Sequence, residues 1–117
     1  MADVDTLRQK KCVPCESGGD PLPPEAIGGF LHLVPEWRVT PDGKRIRREW
    51  RALDFPTAID FFQRVAQVAE AEDHHPDLHL EGYRNVAIEI WTHAVGGLTE
   101  NDFILAAKID QLPFQTK

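Results

Sequence analysis

The spacing of apolar positions changes several times along the chain, and each change predicts an element. Ile27, Phe30, Leu31 and Val34 recur every three or four residues behind Pro23, Pro24 and Glu25. Proline suits the first turn of a helix, where its missing N–H would have had no partner. The spacing therefore predicts a helix over 24–33, weakened by the Gly28-Gly29 pair and ended by Pro35. Trp37 and Val39 then run into Pro41-Asp42-Gly43-Lys44, the pattern of a strand entering a tight turn. In 44–52 the period drops to two. Ile46, Trp50 and Ala52 share one face, which Arg48 interrupts, and Arg45, Arg47, Glu49 and Arg51 share the other. This is a half-buried strand.

Residues 55–73 carry the strongest helical signal. Asp54 is placed to cap it and Pro56 falls in its first turn. Phe55, Ile59, Phe62, Ala66 and Ala69 form an apolar stripe that Ala58 and Val65 widen. Pro76 disfavours helical dihedrals at His75, so the helix must release the chain near Asp73 or His74. Leu78, Leu80 and Gly82 alternate with His79, Glu81 and Tyr83, and Arg84-Asn85 is expected to turn. Val86, Ile88, Ile90 and Thr92 then alternate with Ala87, Glu89, Trp91 and His93 as a further strand. Beyond Gly96-Gly97, Thr99 and Asp102 match a capping box. It opens a helix through Phe103, Ala106, Ala107 and Ile109 to about Leu112, before Pro113.

The order is α-β-β-α-β-β-α. Short connections within each strand pair favour an antiparallel arrangement. The pattern predicts a two-layer α+β domain, a four-stranded antiparallel sheet with three helices packed on one face. The opposite face or edge is left exposed or meets a partner, so self-association is expected. Residues 1–20 read as a polar N-terminal extension, and 21–117 as the domain.

Composition narrows the function classes. The chain has 117 residues, 42% of them hydrophobic, and a formal net charge of -6. That suits one domain. Acidic balance argues against general nucleic-acid binding, which rests on neutralising phosphates. The arginines around Trp50 are explained as well by a solvated strand face as by contact with single-stranded nucleic acid. No apolar run approaches the roughly 20 residues of a membrane helix, and the polar start MADVDTLRQKK lacks the apolar core of a secretory signal. A cytoplasmic protein is expected. Cys12 and Cys15 form one C-x-x-C, a weak signal alone. A structural turn, half of a metal site and a redox pair remain open for it.

The chemistry concentrates in Glu70–Asp102, where His74, His75 and His93 stand between two carboxylates. Histidine exchanges protons near neutral pH, so the cluster is a candidate acid–base site. His74 and His75 leave a helix C-terminus, and Glu70 lies one turn before His74, within reach at i, i+4. His93 ends a strand that a single hairpin leads back toward them. Asp102 serves as the partner of Thr99 and can face a site as well. The histidines, His79 included, share no helix that would turn them to one ion, so no metal is assigned. Tyr83 and Trp91 could each stack on a flat ring or simply pack.

One spacing is more specific. A glutamate, three residues, His-His-Pro, six residues, an aromatic, nine residues, a histidine, eight residues and an aspartate fall on Glu70, His74, His75, Pro76, Tyr83, His93 and Asp102. This resembles the pterin-4a-carbinolamine dehydratase family over residues 21–112, and Gly97-Leu98-Thr99 with Leu105-Ala106 and Ile109-Asp110 extends the likeness. The resemblance implies the same fold and a hydro-lyase that turns a 4a-hydroxy-tetrahydropterin into quinonoid dihydropterin during tetrahydrobiopterin recycling. It implies His74, His75 and His93 as catalytic residues, with Glu70, Asp102, Pro76 and Tyr83 binding or orienting. It implies a pterin substrate, a homodimer or homotetramer, an aromatic amino acid hydroxylase in the same pathway, and no cofactor or metal. Relatives on this fold also act as protein-binding modules, as Rubisco assembly factors or transcriptional dimerisation cofactors, and that is the alternative.

Overall fold

The computed structural model describes residues 4–12 and 20–114. Their elements are α1 (Val4–Gln9), α2 (Pro24–Leu31), β1 (Arg38–Val39), β2 (Ile46–Arg51), α3 (Phe55–Glu72), β3 (Asp77–Glu81), β4 (Asn85–Ile90) and α4 (Glu100–Ile109), with a 3-10 turn at His93–Val95. The four strands form one antiparallel sheet in the order β1-β2-β4-β3. Two hairpins, β1-β2 and β3-β4, are joined along β2 and β4, which brings the last strand to the middle of the sheet.

The expected α+β architecture is present, and register explains its two faces. Ile46 pairs with Ile90, Trp50 with Val86, and Ile88 lies between Arg48 and Leu78. Side chains alternate across a sheet, so these residues share the helix-facing side, where Ile46, Val86, Ile88 and Ile90 are buried. Arg48, the interruption in the period-two pattern, also stands on this side. It stacks over Trp50 at 4.7 Å and pairs with Asp110 at 2.6 Å, and Asp110 also accepts from the Trp37 indole. The charge is thus satisfied at the rim of the core. On the other face Arg45 and Arg47 pair with Asp77, Glu89 and Glu49.

In α3 the Thr57 amide donates to Asp54 at 2.9 Å, so Asp54 caps as expected. The buried stripe differs from the one the spacing predicts. Ala58, Phe61, Val65, Ala69 and Glu72 face inward, while Phe55 and Ile59 are exposed. The helix carries two apolar stripes. The sheet and α4 cover one, and spacing alone does not choose between them. In α4, Asn101–Ala107 and Ile109 are all buried, because α1, α2 and α3 all pack on it. A helix enclosed on every side needs no polar face.

The described part of the N-terminal arm packs on the domain. Leu7 is buried in the common core. The Cys12 amide donates to Glu72 at 2.8 Å and Lys108 pairs with the same carboxylate at 2.7 Å. Burial pushes the Glu72 carboxyl up, but Lys108 and the Cys12 amide outweigh it and hold Glu72 below its ordinary range. The Cys12 thiol is pushed up to about 12, first by burial and then by the charge of Glu72. Cys15 lies outside the described residues, and with it the C-x-x-C reading.

Candidate active site

Three chain ends meet where the histidines lie: the exit of α3, the end of β4 and the start of α4. Asp73 ends α3 in the left-handed region (φ 52°). The chain turns back sharply enough for the His74 amide to donate to the Ala69 carbonyl at 3.1 Å, a Schellman-type closure. His74 and His75 then leave the helix on separate paths. His74 Nε2 lies 2.7 Å from Asp102 Oδ1, and His75 Nε2 lies 2.7 Å from Glu70 Oε1. The i, i+4 expectation for Glu70 and His74 therefore needs correcting. Glu70 meets His75 at i, i+5, because the left-handed Asp73 swings His74 off the helix surface toward α4.

Asp102 is fully buried. It forms the expected capping box with Thr99, whose amide donates to Asp102 Oδ2 at 2.8 Å. Thr92 donates to the same oxygen at 3.0 Å. One carboxylate thus closes the start of α4, holds the end of β4 and holds His74. Sequence reading found the cap and missed Thr92. The signal was its place in the inward series Val86, Ile88, Ile90, Thr92, where a hydroxyl needs a buried partner.

The strand predicted to reach His93 stops at Ile90. Thr92 instead bridges to Gly97, and His93 opens the 3-10 turn between them. Gly97 has no room for a side chain, since a Cβ there would lie 2.9 Å from Pro21. His93 is exposed and rests on Trp91 with ring centroids 4.0 Å apart. Arg45 covers Trp91 at 4.8 Å. His93 therefore starts one residue from the hydroxyl that touches Asp102, which brings the β4 exit to the group holding His74.

Pro76 leads directly into β3 and fixes the extended exit after His75. Tyr83 lies elsewhere. It occupies the turn at the far end of β3, about 16 Å away by strand rise, exposed and with φ 58°. The Arg84 guanidinium covers its ring at 5.3 Å. The turn itself is Gly82–Arg84 rather than Arg84-Asn85. Among the described residues, no group of three or more His, Cys, Asp or Glu side chains is arranged to hold a metal ion, and no helix is long and apolar enough to cross a membrane.

A buried carboxylate fixing one imidazole, and touched by the hydroxyl next in sequence to a second, is suited to proton transfer. The sequence model of the Pterin 4 alpha carbinolamine dehydratase family matches residues 20–112. The chain belongs to this family. It is 51% identical over 115 residues to pterin-4-alpha-carbinolamine dehydratase 2, mitochondrial, of Arabidopsis thaliana, covering 96% of this chain and 60% of that protein. It is 47% identical over 107 residues to a protein of Halorhodospira halophila named for the same dehydratase, covering 92% of this chain and 97% of that one. Among solved structures it resembles a transcriptional coactivator/pterin dehydratase from Brucella melitensis, with a TM-score of 0.72 and 30% identity over 78% of this chain and 96% of the other.

Proposed function

We propose that this chain is a 4a-hydroxytetrahydrobiopterin dehydratase working by histidine acid–base catalysis. Family membership supplies the reaction class. The buried His74–Asp102 pair at 2.7 Å is the observation that carries the assignment of residues. The substrate is a 4a-hydroxy-tetrahydropterin. An acid protonates the 4a-hydroxyl, the C4a–O bond breaks, and water leaves with the bonding electrons. A base takes the proton from N5, and the N5 lone pair forms the new C=N bond of quinonoid dihydropterin. Atoms balance with water as the only by-product. No electrons are exchanged with a cofactor, and imidazoles meet both proton demands.

In this reading His74 and His93 form the acid–base pair, with Asp102 orienting His74. His75, exposed and loosely tied to Glu70, binds substrate or serves as a further acid–base group. Pro76 sets the direction of the His75 backbone. Tyr83 would contribute only if a second copy brought that turn to these histidines. The exposed apolar side chains Leu53, Phe55, Ile59 and Leu78 support self-association as a homodimer or homotetramer. The reading includes a cytoplasmic location, and an aromatic amino acid hydroxylase as the source of substrate in tetrahydrobiopterin recycling.

The test is dehydration of synthetic 4a-hydroxy-tetrahydropterin followed by ultraviolet absorbance, with chelator present. Wild type should accelerate the reaction. His74→Ala and His93→Ala should each return it by about 100-fold or more toward the uncatalysed rate. A folded wild type without acceleration would sink this reading and favour a protein-binding module on the same fold.

A further inference from the structure

We propose that Thr92 is a positioning residue which, through Asp102, fixes the hydrogen of His74 on Nε2 and leaves Nδ1 as the nitrogen that exchanges a proton with substrate. The inference rests on the dehydratase reading for its catalytic meaning, but its geometry stands apart from it.

Thr92 is 3% exposed. Its backbone is pinned by the bridge to Gly97, with the Thr92 amide donating to the Gly97 carbonyl at 2.8 Å. Its hydroxyl lies 3.0 Å from Asp102 Oδ2 and 2.8 Å from the Thr99 hydroxyl. An ionised carboxylate only accepts, and each hydroxyl has one hydrogen to give. The Thr92 hydrogen therefore goes to Asp102, and the hydrogen between the two hydroxyls comes from Thr99. The Asp102 amide donates to the Thr99 carbonyl at 3.1 Å, which closes the first turn of α4 on the same pair.

The result is a relay with one direction: Thr99 hydroxyl to Thr92 hydroxyl to Asp102 carboxylate. Hydrogen bonds in such a chain polarise one another. Asp102 Oδ2 receives two donors, from Thr92 and from the Thr99 amide at 2.8 Å. Oδ1 remains for His74 at 2.7 Å. Since that oxygen cannot donate, the hydrogen must sit on His74 Nε2. A ring nitrogen's protonation is set by the bond its partner makes, so the neutral imidazole carries its lone pair on Nδ1. Without the Thr92 hydroxyl, Asp102 loses one of two anchors on Oδ2 and can rotate, and the tautomer of His74 is no longer imposed.

Two measurements decide this. In wild type, nitrogen-15 NMR of the His74 ring, assigned against His74→Gln and followed across pH, should show the neutral imidazole with its hydrogen on Nε2 and a bare Nδ1. A neutral imidazole with its hydrogen on Nδ1 would overturn the proposal whatever the variants do. Thr92→Val removes the hydroxyl and keeps the shape. It should lower kcat about tenfold with KM within about twofold, the signature of an interaction expressed in the transition state, and give mixed His74 tautomers. Thr92→Ser keeps the hydroxyl and should restore kcat. A folded Thr92→Val with wild-type kcat, or a Thr92→Ser as slow as the valine variant, would also overturn it. An inactive wild type would remove the dehydratase reading while the NMR result still settled the tautomer.

Discussion

Two histidine–carboxylate pairs leave the same end of α3 from adjacent residues with the same 2.7 Å separation, yet they are physically unlike. In His74–Asp102 the side chains are 11% and 0% exposed; in His75–Glu70 they are 58% and 77% exposed. Water competes for both members of the second pair, and pairs of that kind contribute little to stability. Asp102 has no such competitor. Its protein donors are fixed by a strand end and a helix start, so its position is determined before any imidazole arrives. Distance alone does not make a dyad; what holds the carboxylate does.

The largest expected effect comes from removing the buried member. Asp102→Ala leaves the Thr92 hydroxyl, the Thr99 amide and the His74 imidazole without their acceptor and should cost about 3 kcal/mol in urea unfolding. The same variant should lower kcat by about 100-fold or more in the dehydration assay. A variant no slower than its exposed counterpart would break the comparison.

The buried Glu72–Lys108 pair, in the last turn of α3, separates burial from chemistry. Glu72→Gln weakens the link to Lys108 and the Cys12 amide and should cost about 1.5 kcal/mol at pH 7, with kcat within about twofold of wild type. The folded state holds Glu72 below its ordinary range, so its contribution is full above that range and is lost as pH falls through the lowered folded value. Urea unfolding from pH 7 to pH 3 should therefore show the wild-type advantage over Glu72→Gln shrinking toward acid. An advantage that grew toward acid would reverse the assigned sign.

The smallest effect belongs to the exposed pair. Glu70→Gln should change stability by less than about 0.5 kcal/mol and kcat by less than about threefold. A larger fall in kcat would mean that substrate, rather than protein, buries His75 during turnover.

Much of this was legible in the chain. The period-two runs located the sheet, Asp54 and Thr99 located two helix starts, and Pro76 located the exit at which the histidines part. What remained hidden depended on three-dimensional choice. Two apolar stripes on α3 satisfied the same spacing, and only the seated sheet and α4 selected Ala58-Phe61-Val65. The exchange of carboxylate partners followed from a single left-handed residue, Asp73, which no periodicity announces. Thr92 read as one more inward strand position until Asp102 was seen beside it. In the arm, Leu7 stood with Val4 in a polar stretch, and its burial needed a surface that lies far along the chain.

That surface has a consequence for synthesis. Lys10 meets Glu100 across 90 positions, and α1 docks on α4. As the chain emerges from the ribosome, α1 cannot dock on α4 until α4 has been made. Leu7 must wait in solvent or in other hands while the residues between them are added. The arrival of α4 then completes the interior and seats α1.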